Sequence, residues 1–182
     1  IENIMALRGD PTLGTEHFIL PEGGYHNAGE LISAVRKHSH FGIGAAGYPE
    51  GHVDNPDKDD DRKHLHGKIA AGAEFIVTQF FLDNTYFLRW RDKLREEGAN
   101  VPLVAGILPP SNWKATKRMS EMCGVSIPQD LAEALLKHEK DPEASKEIGF
   151  VHVEKQIEGL LREGVEGVHL YALNNLETVK RL

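Results

Sequence analysis

Arg8, Gly9 and Asp10 stand together at the end of a short apolar run, where they combine a cation, an open stretch of backbone and a carboxylate. The planar guanidinium of an arginine matches a phosphate or a carboxylate, and a glycine lets a ligand approach the backbone closely. A strand-to-loop turn with a surface ion pair explains the same three residues. The segment alone therefore predicts either a ligand site or an ordinary turn.

Two later apolar runs carry side chains that suit a ring-shaped ligand. Tyr48 could stack on a ring, and His52, four residues later, could reach a phosphate or a ribose. Gln79 lies inside the run 75–81, and its amide could read the edge of a heterocycle because it both donates and accepts hydrogen bonds. The alternatives are a packed tyrosine, a solvated histidine and an amide bonded to the backbone. Tyr171 and Asn174 add polar groups at the end of the last run.

The histidines and the acidic run 57–61 do not form a metal-binding pattern. The acidic run suits the N-terminus of a helix, where negative charge complements the helix dipole. His38 and His40, like His64 and His66, are two residues apart on predicted helices, so the members of each pair do not share a face. We therefore predict no metal site.

Short apolar runs alternate with amphipathic stretches along the chain, and this pattern predicts alternating strands and helices. These elements must position the side chains named above. Predicted strands cover 4–7, 41–48, 75–81, 102–108 and 167–173. Predicted helices cover 28–38, 59–72, 84–97 and 151–162, with another helical stretch after 111 and a terminal helix. This α/β order predicts parallel pairing with right-handed crossovers. It fits a complete flavodoxin-like sheet or the last five units of an eight-unit barrel, and both place their chemistry at the C-terminal ends of the strands.

Composition limits the classes of protein to which the chain can belong. The 182 residues suit a single domain over 1–182, and the net charge of −7 argues against a nucleic-acid partner. The single cysteine, Cys123, cannot form an internal disulfide and favours a cytoplasmic location. The apolar runs are shorter than a membrane span, so we predict no membrane partner. Because Ile1 already belongs to the first apolar segment, we expect the chain to be a fragment, and its composition leaves open whether it forms a homo-oligomer.

The strand ends, taken in order, resemble those of the methylenetetrahydrofolate reductase family. The matching segments are 7–10, 46–52, 71–81, 102–110 and 169–174, and they extend over essentially the whole chain. Each motif is weak by itself, but five in this order are specific. The resemblance implies a flavin-binding (β/α)8 TIM barrel, of which this chain would hold about five βα units, strands four to eight.

The resemblance also implies a reaction and its participants. The cofactor would be FAD, the electron donor NAD(P)H, and the folate substrate 5,10-methylenetetrahydrofolate, which would become 5-methyltetrahydrofolate. Asp10 matches an aspartate beside the flavin that stabilises the cationic iminium form of the folate, and Gln79 matches a glutamine that contacts the pterin and the nicotinamide. Tyr171 matches a tyrosine near the folate. The positions that match FAD contacts are Arg8, Gly9, Asp10, Ala28, Tyr48, His52, Asp61 and Lys68.

The chain departs from the family pattern in three respects. No residue matches the glutamate that protonates the folate, which lies at the end of the first barrel strand, so we expect the isolated chain to be inactive. Asn175 stands where the family often has a folate-contacting arginine, and His64 and Gly67 replace side chains that contact FAD in some members. The alternative is a noncatalytic flavodoxin-like module that binds a nucleotide or a protein. A partial barrel predicts two unpaired sheet edges and an exposed apolar interior.

Overall fold

Strands and helices alternate in a computed structural model that describes residues 1–9, 19–38, 40–55 and 57–181, with backbone alone for 176–178. The strands are β1 (Asn3–Ala6), β2 (Gly42–Gly47), β3 (Phe75–Phe80), β4 (Leu103–Ile107) and β5 (Gly167–Leu170). The helices are α1 (Ala28–His38), α2 (Lys58–Ala70), α3 (Asn84–Glu96), α4 (Trp113–Cys123), α5 (Gln129–Lys137), α6 (Pro142–Arg162) and α7 (Leu176–Arg181). The predicted α/β class is confirmed.

The five described strands form one parallel sheet in the order β1-β2-β3-β4-β5. Sequential order is that of consecutive units of a (β/α)8 barrel, whereas a flavodoxin-like sheet follows the order 2-1-3-4-5. The partial-barrel prediction is therefore confirmed and the flavodoxin-like alternative is wrong. Within the described residues, β1 and β5 each pair along one side only, as the partial barrel predicts.

One face of the sheet carries the main core. Ile43, Ala45, Ile76, Leu103 and Ala105 point from the strands into a buried cluster. That cluster also receives side chains from α1, α2, α3 and α6, among them Ile32, Leu65, Phe87 and Leu160. Burial of such apolar groups is the main favourable term in folding. The four helices therefore cover a single face, as right-handed crossovers between sequential parallel strands require.

The opposite face is apolar but incompletely covered. Phe75, Val77 and Val104 point toward it and are only partly buried, and Met5 is 39% exposed. In a closed barrel this face would be the packed interior. The predicted exposed apolar interior is therefore confirmed for the described residues.

Side-chain caps fix the starts of several helices. The Asp57 carboxylate accepts hydrogen bonds from the N–H groups of Asp59 and Asp60 at the start of α2, as the acidic run predicted. Asn112 caps α4 in the same way. Helix α6 begins at Pro142, nine residues before its predicted start, because the small residues Ser145 and Gly149 occupy its buried stripe and give no apolar pattern. None of the described helices is long and apolar enough to cross a membrane.

Candidate functional site

A cleft of about 790 Å³ lies at the C-terminal ends of β1 and β2, between the first turn of α1 and one face of α2. The structure brings to it all seven described residues that the resemblance assigns to FAD. They are Arg8, Gly9, Ala28, Tyr48, His52, Asp61 and Lys68. His64 and Gly67, the two positions of departure, also line it. The eighth residue, Asp10, lies outside the described residues.

Lys68 crosses the floor of this cleft. Its ammonium donates a hydrogen bond to the carbonyl oxygen of Ala46, at the end of β2, at 3.0 Å. The same nitrogen lies 5.6 Å from the centre of the Tyr48 ring, close enough for a cation–π contact. Burial lowers the pKa of Lys68, and the nearby Asp61 carboxylate opposes that shift. An ammonium has three donors, and among the described residues one of them is used.

Asp61 is the buried acidic residue of the run 57–61. Only 9% of it is exposed, whereas Asp59 is exposed. Burial raises the pKa of Asp61, and Lys68 and then His52 oppose the shift by their charge. Among the described residues, no donor forms a hydrogen bond to its carboxylate. A carboxylate in a cleft that accepts no hydrogen bond from the described residues suits a ligand that carries hydroxyl groups.

The loop after β2 places Tyr48 and His52 against each other. Their rings meet edge to face with centres 4.6 Å apart. The backbone N–H of Asp54 donates to Nδ1 of His52 at 3.1 Å, so in the neutral ring the proton is on Nε2. The Asp54 carboxylate also lies 3.6 Å from the guanidinium of Arg8, which links the ends of β1 and β2. Sequence reasoning missed Asp54, since a single aspartate in a loop has no distinguishing pattern.

The first turn of α1 forms the wall opposite α2. Asn27 caps this helix by accepting a hydrogen bond from the N–H of Glu30 at 3.1 Å. Glu30 in turn accepts one from the N–H of His26 at 2.9 Å. Asn27, Ala28, Gly29 and Glu30 all line the cleft. The spacing Asn-x-x-Glu is typical of a capped helix start and could have identified Asn27 from the sequence.

Gln79 lies at the end of β3, the middle strand, and the Tyr171 side chain reaches the same strand end. The Tyr171 hydroxyl donates to the carbonyl oxygen of Thr78 at 2.9 Å, directly before Gln79. Burial raises the pKa of Tyr171, so this hydroxyl keeps its proton at neutral pH. The Gln79 amide oxygen accepts from the N–H of Phe80 at 3.1 Å. Among the described residues its NH₂ group forms no hydrogen bond, and it can donate to a ligand.

A smaller cleft of about 210 Å³ separates the loop after β4 from the loop after β5. It is lined by residues 108–111, by Lys146 and Phe150 from α6, and by residues 171–173 and Asn175. Helix α6 packs closely here, because a Cβ atom at Gly149 would collide with the carbonyl oxygen of Pro110. Leu173 and Asn174 follow β5 with left-handed φ of 48° and 60°, which ends the strand earlier than predicted.

Glu50 belongs to neither cleft. One of its carboxylate oxygens accepts a hydrogen bond from the N–H of Ser126 at 3.0 Å, and the other is buried and has no hydrogen-bond partner among the described residues. Burial raises the pKa of Glu50. The contact ties the loop after β2 to the loop between α4 and α5. Its place in the fold gives Glu50 a structural role in holding the loop that carries Tyr48 and His52.

Several known proteins that are similar to this chain are named methylenetetrahydrofolate reductases. All of its residues, 1–182, match the family model for methylenetetrahydrofolate reductase. Methylenetetrahydrofolate reductase 1 of Schizosaccharomyces pombe is 38% identical, over 99% of this chain and 30% of the relative. Methylenetetrahydrofolate reductase (NADH) 1 of Arabidopsis thaliana is also 38% identical, over 96% of this chain and 31% of the relative. The 5,10-methylenetetrahydrofolate reductase of Escherichia coli is 36% identical, over 97% of this chain and 58% of the relative.

A solved structure has a related fold. It is an uncharacterized protein from Clostridium thermocellum that binds two copies of 5-methyl-5,6,7,8-tetrahydrofolic acid, with a TM-score of 0.56 and 18% identity over 88% of this chain and 58% of that one. At this identity the similarity concerns the fold alone. The chain spans 30% to 31% of the two eukaryotic relatives. Since the family model covers every residue from 1 to 182, the chain belongs to the methylenetetrahydrofolate reductase family.

Proposed function

We propose that this chain forms the flavin- and folate-binding part of an enzyme that reduces 5,10-methylenetetrahydrofolate to 5-methyltetrahydrofolate. FAD is the proposed cofactor and NAD(P)H the proposed electron donor. One observation carries the proposal: the seven described residues that the family resemblance assigns to FAD come from separate segments, yet they line one cleft. Family membership supports the proposed reaction.

The polar groups of the larger cleft fit a ligand with hydroxyl and phosphate groups. Lys68 has donors to spare, and the Asp61 carboxylate has acceptors to spare, among the described residues. FAD carries ribityl and ribose hydroxyls that can donate to Asp61 and phosphate oxygens that can accept from Lys68. When bound, FAD supplies reversible acceptance of a hydride, which amino-acid side chains cannot provide.

The first turn of α1 adds positive potential to the same cleft. Helix N-termini carry unpaired N–H groups and a partial positive charge, which favour anions. Ala28 and Gly29 present that end of α1 to the cleft, and Arg8 lies across from them on the end of β1. We propose that the diphosphate of FAD lies between α1 and Arg8, with Tyr48 and His52 packed against the remainder of the cofactor.

The proposed folate site lies toward β3 and β5. Gln79 would use its unpaired NH₂ group to orient whichever ring is bound, and Tyr171 would position the end of β3 through its hydrogen bond to Thr78. Asp10 would stabilise positive charge on the folate, since a fixed carboxylate acts most strongly in a site closed to water. No residue of the chain matches the family's proton-donating glutamate. We therefore expect the 182 residues alone not to turn over.

Turnover by the full-length protein tests the proposal. The protein is purified, its bound flavin is identified by absorbance and mass, and flavin reduction by NADH and by NADPH is followed without oxygen. Addition of 5,10-methylenetetrahydrofolate should then restore the oxidised spectrum and yield 5-methyltetrahydrofolate. A protein that holds no flavin after reconstitution with FAD, or that yields no methylated folate, would refute the proposed function.

A further inference from the structure

The pairing between β3 and β4 is irregular at the residue that would contact the ring ligands. Its register shifts between Val77 and Phe80, where three steps along β3 correspond to two steps along β4. The additional residue falls in the segment that contains Thr78 and Gln79. Additional residues of this kind form β-bulges, which re-aim side chains and are frequent next to active sites. We propose that Thr78 is a positioning residue, which holds this bulge so that the Gln79 amide faces the ring ligands. This inference rests on the proposed function.

Both oxygens of Thr78 are bound by neighbouring strands or strand ends. Its hydroxyl oxygen accepts a hydrogen bond from the N–H of Gly106, on β4, at 2.9 Å. Its carbonyl oxygen accepts one from the hydroxyl of Tyr171, directly after β5, also at 2.9 Å. Thr78 itself is fully buried. One residue thus connects β3 to β4 and to the end of β5, so the peptide unit directly before Gln79 has little freedom to turn.

The neighbouring strand accommodates the bulge through a glycine. A Cβ atom at Gly106 would collide with the carbonyl oxygen of Thr78 and would lie 2.9 Å from the Tyr171 ring. Both groups are held by hydrogen bonds, so neither can move aside without breaking one. Strand β4 therefore carries a residue without a side chain where the bulge of β3 approaches it most closely.

Helix α6 fixes the chain on the other side of Gln79. The side-chain NH₂ group of Gln156 donates a hydrogen bond to the carbonyl oxygen of Phe81 at 2.8 Å. Nε2 of His152 donates one to the carbonyl oxygen of Leu82 at 3.0 Å. His152 and Gln156 are four residues apart, so they share one face of the helix. The chain is therefore held both before and after Gln79.

Thr78 and Gln79 have different surroundings because successive residues of a strand point to opposite faces. Thr78 is buried and lines neither cleft, whereas Gln79 is half-buried and its NH₂ group forms no hydrogen bond with the described residues. Loss of the Thr78 hydroxyl would therefore remove no group from the clefts, but it would let the Gln79 amide turn. A misplacement of about 1 Å can lower a reaction rate on the order of 10²-fold.

A double-mutant cycle tests whether Thr78 acts through Gln79. In the full-length, flavin-loaded protein, stopped-flow absorbance follows flavin reduction by NADH or NADPH and flavin reoxidation by 5,10-methylenetetrahydrofolate. We expect Thr78→Val, which keeps the shape and removes the hydroxyl, to slow both steps roughly ten- to hundredfold. The Kd for FAD should not change, because the larger cleft is built on β1 and β2. In a Gln79→Ala protein the same change should have little further effect on either rate, since the side chain that it misplaces is absent.

Two more variants control for the loss of a buried hydroxyl. Thr78→Ser keeps the hydroxyl and should recover most of the rate that Thr78→Val loses. Thr116→Val removes a buried hydroxyl of α4 that has no hydrogen-bond partner among the described residues, and it should react as the parent does. If Thr78→Val does not fold, Gln156→Met replaces it in the cycle with the same expectation, because it frees the carbonyl of Phe81.

Three results would overturn the role of Thr78. They are unchanged rates in Thr78→Val, unchanged rates in Gln79→Ala, and equal factors lost on Thr78→Val with and without Gln79. In the replacement cycle, the same results for Gln156→Met count in the same way. A parent protein that does not reduce the folate would instead refute the proposed function, and with it this inference.

Discussion

Replacement of Lys68 by methionine removes one charge from the larger cleft and keeps an unbranched side chain of nearly the same length. The variant loses the hydrogen bond to Ala46, which is worth about 1 kcal/mol. It also removes the cost of burying an ammonium, which the lowered pKa of Lys68 reports. These two effects on folding oppose each other, so we expect the melting temperature without flavin to change little.

The same change should weaken flavin binding strongly. An ammonium that binds a phosphate contributes about 1.5–3 kcal/mol, so Lys68→Met should raise the Kd for FAD roughly ten- to hundredfold. The assay is quenching of FAD fluorescence by the full-length apoprotein. Lys58→Met serves as the matched control, since Lys58 is an exposed lysine of α2 outside the cleft. A Kd for Lys68→Met equal to that of the control would refute the proposed placement of FAD.

The pH dependence of FAD binding tests whether Lys68 binds the flavin as a cation. Burial lowers the pKa of Lys68 in the free protein, and a bound anion would raise the pKa again. Flavin affinity should therefore fall as the pH rises above the lowered pKa, by at most about tenfold per pH unit for one proton. Lys68→Met should lack this dependence. Parallel alkaline profiles for the two proteins would show that Lys68 does not bind the flavin as a cation.

The remaining predictions concern stability and the reaction. Burial raises the pKa of Glu50, so the folded protein loses stability as the pH rises through that pKa. In urea unfolding, Glu50→Gln should therefore raise the free energy of unfolding by roughly 1 kcal/mol at pH 7 and by almost nothing at pH 4. Gly149→Ala should lower the free energy of unfolding by about 1–3 kcal/mol, because the new Cβ collides with Pro110. Gly67→Ala should raise the free energy of unfolding by roughly 0.5–1 kcal/mol, because its Cβ meets no atom within 4 Å. A destabilised Glu50→Gln or a neutral Gly149→Ala would contradict these assignments. Asp10→Asn should slow folate reduction on the order of 10²-fold and leave flavin reduction by NAD(P)H nearly unchanged in stopped flow, and equal losses would remove its proposed role.

The strands were predictable because each has a continuous apolar signal. Ile4, Phe75, Val77, Val104 and Leu170 all lie in the parallel strands where the sequence predicted them. The start of α6 was not predictable in this way. Its buried stripe begins with small residues that pack by close approach to the loop after β4, and close approach leaves no apolar periodicity in the sequence.

The larger cleft was partly predictable from local spacing. Asp61, Leu65 and Lys68 lie four and three residues apart, so they share one face of α2, and that face turns inward. The acidic run by itself predicted only a helix N-terminus and did not indicate a buried carboxylate. No local pattern could place Asp54 beside Arg8, because that pair joins two strand ends whose distance depends on the whole sheet. The family resemblance, rather than the local pattern, identified the seven lining residues that it assigns to FAD.

The strand order places the C-terminal end of β3, which carries Gln79, between the two clefts. The larger cleft is built on β1 and β2, the smaller cleft on β4 and β5, and β3 lies between them. A ligand that is anchored in either cleft and extends toward the centre of the sheet reaches the C-terminal end of β3. In the proposed function one side chain contacts both the pterin and the nicotinamide, and a residue of β3 that both donates and accepts hydrogen bonds suits that role. Gln79 meets both conditions, and its position between the clefts follows from sequential parallel pairing alone.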